Sequence, residues 1–172
     1  MKKITTAAAL CLGMMLVAVP AAAQARGRCV NVSGKGTWTV IPPSTAPASD
    51  PVGRVLGPTT GGLKAAVTAY LTSLAPQPDG SLKATSVETW AVKANDLLVF
   101  AGDAVFTPIA GRPVGTVSDA LTLTVIGGTG AFAGATGKLN VTGTGYDIFG
   151  PNAGPGKSYF DIRYQGEICT AF

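Results

Sequence analysis

The sequence predicts an all-β domain, a small antiparallel β-barrel of about eight strands, with a two-sheet β-sandwich as the runner-up. Three observations predict it. Several runs alternate apolar and polar residues with period two, and none has a convincing helical period. Two such runs flank a glycine-rich connection at Gly127–Gly137 that holds five glycines and no proline. Two cysteines, Cys29 and Cys169, lie close to the two ends of the chain that remains after the first segment is removed.

That first segment reads as a secretory signal. Lys2 and Lys3 are a basic start, Ala7–Val19 is an apolar run, and Ala21-Ala22-Ala23 is a small-residue cleavage site. The apolar run falls short of the roughly 20 residues a membrane span needs, so no span is expected in the mature chain. Residues 1–23 are therefore taken as signal peptide and 24–172 as one barrel domain, secreted or periplasmic. In such a compartment Cys29 and Cys169 read as a disulfide. Cys29 opens the first strand and Cys169 ends the last, so the bridge suggests a sheet closed on itself; the alternative is a clasp on a loose tail.

The strands follow in order. Val30–Val40 places Val30, Val32, Gly34, Gly36, Trp38 and Val40 on its buried face. Pro42–Thr60, rich in Pro, Ser and Gly, reads as a long loop and a candidate lid. Leu63–Leu74 is a strand. Pro76-Gln77-Pro78-Asp79-Gly80 is a turn, because proline sets φ and glycine admits positive φ. Leu82–Lys93 and Leu97–Thr107 are long strands joined at Asn95-Asp96. Gly111–Gly115 is a loop, followed by strands at Ala120–Ile126 and Leu139–Tyr146, a loop at Gly150–Gly156 and a last strand at Tyr159–Ile168. In that last strand Phe160, Ile162, Tyr164, Gly166 and Ile168 share one face, which leaves Asp161, Arg163 and Glu167 to solvent.

Composition limits the chemistry. The chain has no histidine, which removes Ser-His-Asp and Cys-His catalysis and His-ligated metals. A disulfide would occupy both remaining thiols, and neither a metal site nor a cofactor is expected. Losing Lys2 and Lys3 takes the formal charge from +4 to +2, too weak a balance for nucleic-acid binding. Gly128, Gly130 and Ala133 match a dinucleotide fingerprint, and Asp147 stands where a ribose-binding acid would. That pattern needs a following helix, and the KLNVTGTG that follows alternates like a strand.

One constellation carries chemistry. An even loop centred on Asn95-Asp96 sets Trp90 against Ala101, Val92 against Val99 and Glu88 against Asp103, all on one face. Two opposed carboxyls among apolar neighbours would share a proton, so Glu88 and Asp103 are the candidate catalytic pair. The competing readings are an odd loop that separates the acids, or a core formed by Leu98, Phe100 and Phe106 with this face outside. Trp38, Tyr70 and Trp90 are the candidate lining of a ligand cavity.

The segment Val125-Ile126-Gly127-Gly128-Thr129-Gly130-Ala131-Phe132-Ala133-Gly134-Ala135-Thr136-Gly137 resembles the glycine hairpin of the allene oxide cyclase and dirigent-like barrel families, including small secreted bacterial proteins. The resemblance implies an eight-stranded barrel with an apolar ligand in its lumen, assembled as a homodimer or homotrimer. The cyclases use a lumenal acid and a bound water; no active-site pattern of either family maps onto this chain residue by residue. Three functions follow as expectations: a barrel that binds a small apolar molecule, an isomerase or cyclase working through lumenal carboxylates, or a structural or adhesion module with a solid core. The glycine hairpin should contain positive-φ residues, with Phe132 folded back as its anchor.

Overall fold

A computed structural model describes residues 27–41 and 52–171. Eight antiparallel strands run in chain order around a closed barrel: β1 (Arg28–Ile41), β2 (Arg54–Gly61), β3 (Ala66–Pro76), β4 (Leu82–Lys93), β5 (Asp96–Pro108), β6 (Val117–Gly128), β7 (Thr136–Tyr146) and β8 (Tyr159–Thr170). One short 3-10 turn, Gly130–Phe132, lies between β6 and β7. No helix among the described residues is long and apolar enough to cross a membrane. The signal segment, and residues 42–51 of the expected lid loop, lie outside the described residues.

Closure has a simple cause. β1 pairs with β8 from Arg28↔Thr170 to Thr39↔Tyr159, so the first and last strands leave no free edge. Cys29 and Cys169 are register partners in that seam and form a disulfide. Alternation fills the lumen. Phe160, Ile162, Tyr164 and Ile168 of β8 are buried while Asp161, Arg163 and Glu167 are exposed. On β1, Val32, Trp38 and Val40 are buried, but Val30 is exposed, being close to the end of its strand.

The first correction is β2. Residues 54–60 fall inside the stretch read as loop, yet they pair with β1 from Val40↔Val55 to Lys35↔Thr60. Gly57-Pro58 looks like a break, but Gly57 faces the indole of Trp38. A Cβ there would lie 2.7 Å from Trp38 Cδ1, so a side chain would expel the ring.

The barrel's two ends differ. At one end the β4–β5 turn is docked onto the glycine hairpin between β6 and β7. Thr129 N donates to Leu97 O at 2.9 Å. Thr129 Oγ1 donates to Asn95 O at 2.8 Å, and Ala131 N donates to Asp96 Oδ1 at 2.9 Å. Phe132 folds back against the core. Gly130, Gly134 and Gly137 have positive φ, as the hairpin requires. Gly130 has φ +57° and its absent Cβ would collide with Asp96 Oδ1 and Asn95 O; Gly134, at φ +71°, would meet only Ala171 Cβ at 3.6 Å. Gly130→Ala should therefore cost about 2 kcal/mol or more, and Gly134→Ala only the ~1 kcal/mol of left-handed backbone. Urea unfolding of the two variants checks this, and equal costs would remove the docking role assigned to Gly130.

The connections 77–81, 109–116 and 147–158 lie at the other end. In the first, Asp79 Oδ1 accepts from Ser81 N at 3.0 Å and Ser81 Oγ at 2.6 Å, and Gly80 has φ +81°.

Candidate functional site

The β4–β5 register decides which acids meet. The turn is Ala94-Asn95, with Lys93↔Asp96 as the closing pair, and Val92 is an extra residue on β4. Beyond this bulge Glu88 faces Phe100 and Thr85 faces Asp103. The expected Glu88–Asp103 pair is therefore corrected: Glu88 points inward at 2 % exposure, and Asp103 lies on the outer surface. The shift changes the parity of β5, so Leu98, Phe100 and Phe106 enter the core beside Glu88 and Trp90.

Glu88 has a different acidic neighbour. On β6 the inward phase runs Val117, Asp119, Leu121, Leu123, Val125, all buried. Asp119 is 6 % exposed. It lines the same cavity as Glu88. The strand expected from the sequence, Ala120–Ile126, starts one residue too late to include Asp119. The available signal was the alternation itself: carried back by two residues from Leu121, it puts a carboxylate in an apolar phase.

The pair is supported unequally. Trp90 Nε1 donates to Glu88 Oε2 at 3.0 Å, and Ser86 Oγ donates to Glu88 Oε1 at 3.3 Å. All three side chains project inward from alternate positions of β4. Gly102 of β5, the partner of Ser86, leaves space for this hydroxyl, since a Cβ there would strike Ser86 Oγ. Asp119 Oδ1, by contrast, is buried with no hydrogen-bond partner among the described residues. Burial pushes the Glu88 carboxyl up to about 7, against the weaker downward pull of the Trp90 and Ser86 hydrogen bonds. Burial, and then the charge of Glu88, push Asp119 up to about 7. Near neutral pH the two carboxyls thus titrate as a coupled pair.

The cavity they share has a volume of about 30 Å³. That suffices for a water-sized group, which needs roughly 10–15 Å³ on this measure. Its walls are apolar, with Trp38, Leu71, Phe106, Leu121 and Phe160 prominent. Phe106 and Phe160 stack at 5.5 Å, and Phe149 from the 147–158 connection meets Phe106 at 6.5 Å. The cavity also reaches Thr85, which is exposed on the barrel surface. There β3 carries a bulge at Thr72 between the pairs Leu71↔Ser86 and Ser73↔Thr85. Thr72, Ser73 and Thr85 join their hydroxyls at 2.6–2.7 Å on the outer surface beside this bulge.

The three aromatic candidates separate. Trp38 lines the cavity. Trp90 does not; fully buried, it packs against Trp38, Phe100 and Tyr164 at 5.9, 5.4 and 5.2 Å and holds Glu88 in place. Tyr70 is corrected: it projects outside the barrel, 38 % exposed, with the Arg54 guanidinium 4.8 Å above its ring. Its strand neighbours Val67 and Ala69 take the inward phase instead.

Oxygen donors are few. Besides Glu88 and Asp119, the cavity offers the inward hydroxyl of Ser86, short of the six to eight oxygens a calcium ion takes. Comparison of the chain with protein-family models, with curated proteins and with solved structures finds no match.

Proposed function

We propose that the protein is an exported barrel that binds a small molecule with an apolar body and one hydrogen-bonding head, the head seated between Glu88 and Asp119. The carrying observation is a buried carboxylate with an unpartnered oxygen, Asp119 Oδ1, in a largely apolar cavity beside a second buried acid and the equally unpartnered Trp38 Nε1. An unsatisfied buried oxygen costs ~1–3 kcal/mol, more when charged. A barrel built only for stability would gain by an apolar residue at either position. The head fits within the 30 Å³ cavity, and the body meets its apolar wall residues. The disulfide suits an oxidising compartment, and with the signal-like segment at residues 1–23 it supports a secreted or periplasmic location.

A second reading is favoured by the titration range of the pair. Carboxyls near 7 supply a protonated acid and an ionised base together at neutral pH, the requirement for proton-transfer isomerisation or cyclisation. In that reading Glu88 keeps its catalytic role and Asp119 takes the place first given to Asp103.

The test is a melting-temperature and tryptophan-fluorescence titration with short straight-chain alcohols, amines and acids, from propyl to hexyl. At least one class should bind saturably and raise the melting point. Ala104→Leu, which fills the cavity wall, should abolish the effect. If no compound binds and Ala104→Leu is more stable than the parent, the solid-core module replaces this proposal.

A further inference from the structure

We propose that the guest of this cavity is a small organic ammonium ion, seated between Glu88 and Asp119 and against the rings of Trp38, Phe106 and Phe160. The inference deepens the binding reading above and rests on it. Strands β1, β2, β3, β4, β5, β6 and β8 all contribute to the cavity wall. From these seven strands the ionisable side chains that line it are two, both acidic; among the described residues no Lys or Arg lines it. The site therefore gathers two acids with no cation lining it among the described residues.

The alternatives fit less well. An alkanoate would bring a third carboxylate into the pocket. An alcohol has one hydrogen to donate and an oxygen that could meet Trp38 Nε1, the other buried polar atom without a partner among the described residues, but it leaves most of the acceptor oxygens of the two acids, Asp119 Oδ1 among them, without a donor. A hard divalent metal finds too few oxygens. An ammonium head supplies up to three donors and a positive charge. Aromatic rings on the cavity wall add cation–π attraction, which strengthens when water is excluded. Its alkyl chain meets the apolar wall, to which Val55, Leu71 and Leu121 contribute.

Proton linkage gives the inference a signature. When the pair carries one shared proton, arrival of the cation favours ionisation of both acids, and that proton leaves to solvent. Affinity should rise with pH, by up to about tenfold per unit between roughly pH 6 and pH 8, and then level off. Binding of an alcohol has no such requirement.

Isothermal titration calorimetry of the intact, disulfide-bonded protein with propyl- to hexylammonium, the matched alkanols and the matched alkanoates tests this at pH 6, 7 and 8. The ammonium should bind at least tenfold tighter than the alkanol of equal length at pH 8, with proton release visible as a buffer-dependent heat. Asp119→Asn and Glu88→Gln, close in shape to the parent residues, should each bring ammonium affinity down to the alkanol level. An alkanol or alkanoate that matches the ammonium in the parent protein overturns the cation assignment and leaves the lumenal pocket standing. The same holds if ammonium affinity is unchanged in both variants. Absence of binding by every class overturns both.

Discussion

Replacing Glu88 by Gln and Asp119 by Asn together should raise the melting temperature at pH 8 by roughly 10 °C. In ordinary solution these carboxyls titrate at 4.5 and 3.8; in the fold both are pushed to about 7. A raised carboxyl means that the folded state binds protons more tightly than the unfolded chain. Its contribution is fully present below about pH 4, declines as pH rises through 7 and is gone above. For Glu88 alone the shift corresponds to ~3 kcal/mol at 1.36 kcal/mol per unit. The two costs share one repulsion, so they do not add. For a domain of this size ~3 kcal/mol is roughly 10 °C. Asp79 works in the opposite direction, since its bonds from Ser81 hold it below the usual carboxylate range; the difference between parent and double variant isolates the lumenal pair. That difference should be small at pH 4 and large at pH 8. A difference that does not change with pH would show that neither acid is buried as described.

Removing the disulfide has the second large effect. Cys29 and Cys169 are 140 residues apart in sequence, so the bond constrains nearly the whole unfolded chain, a loss of typically 2–4 kcal/mol. The Cys29→Ser/Cys169→Ser protein should melt about 10 °C lower. It should nonetheless keep its barrel, because the β1–β8 seam retains twelve register pairs and Trp38 and Trp90 remain packed in the lumen. Scanning calorimetry with near-ultraviolet dichroism reads both quantities. An unchanged melting point would reduce the bond to a clasp on the chain ends. Loss of the dichroic signal at low temperature would mean that the bond, not the seam, closes the sheet.

Fold and site were legible to different degrees for identifiable reasons. Strand β8 announces itself because its alternation is regular, and the cysteines mark the seam. β2 was hidden by Gly57-Pro58, whose glycine answers to the Trp38 indole, a partner many residues away in sequence. Glu88 was found because a charge stands in the phase of Trp90. Its neighbour was misassigned because a single bulge at Val92 moves every later β5 side chain to the opposite face. Asp119 was missed by one misplaced strand boundary. Tyr70 was misplaced because an aromatic residue suits either face of a strand, and only the small inward residues beside it decide. The glycine hairpin was read correctly as a positive-φ element, but its docking onto the Asn95-Asp96 turn depends on contacts that no local pattern contains.

Glu88 and Asp119, two buried acids on one largely apolar cavity, should titrate together. Carboxyl-carbon NMR of protein labelled in Asp and Glu tests this most directly. Both resonances should shift near pH 7, each with a broadened, coupled curve, and Asp119→Asn should move the Glu88 midpoint downward. Glu88 and Asp119 titrating separately between pH 4 and 5, each indifferent to the other's removal, would contradict it.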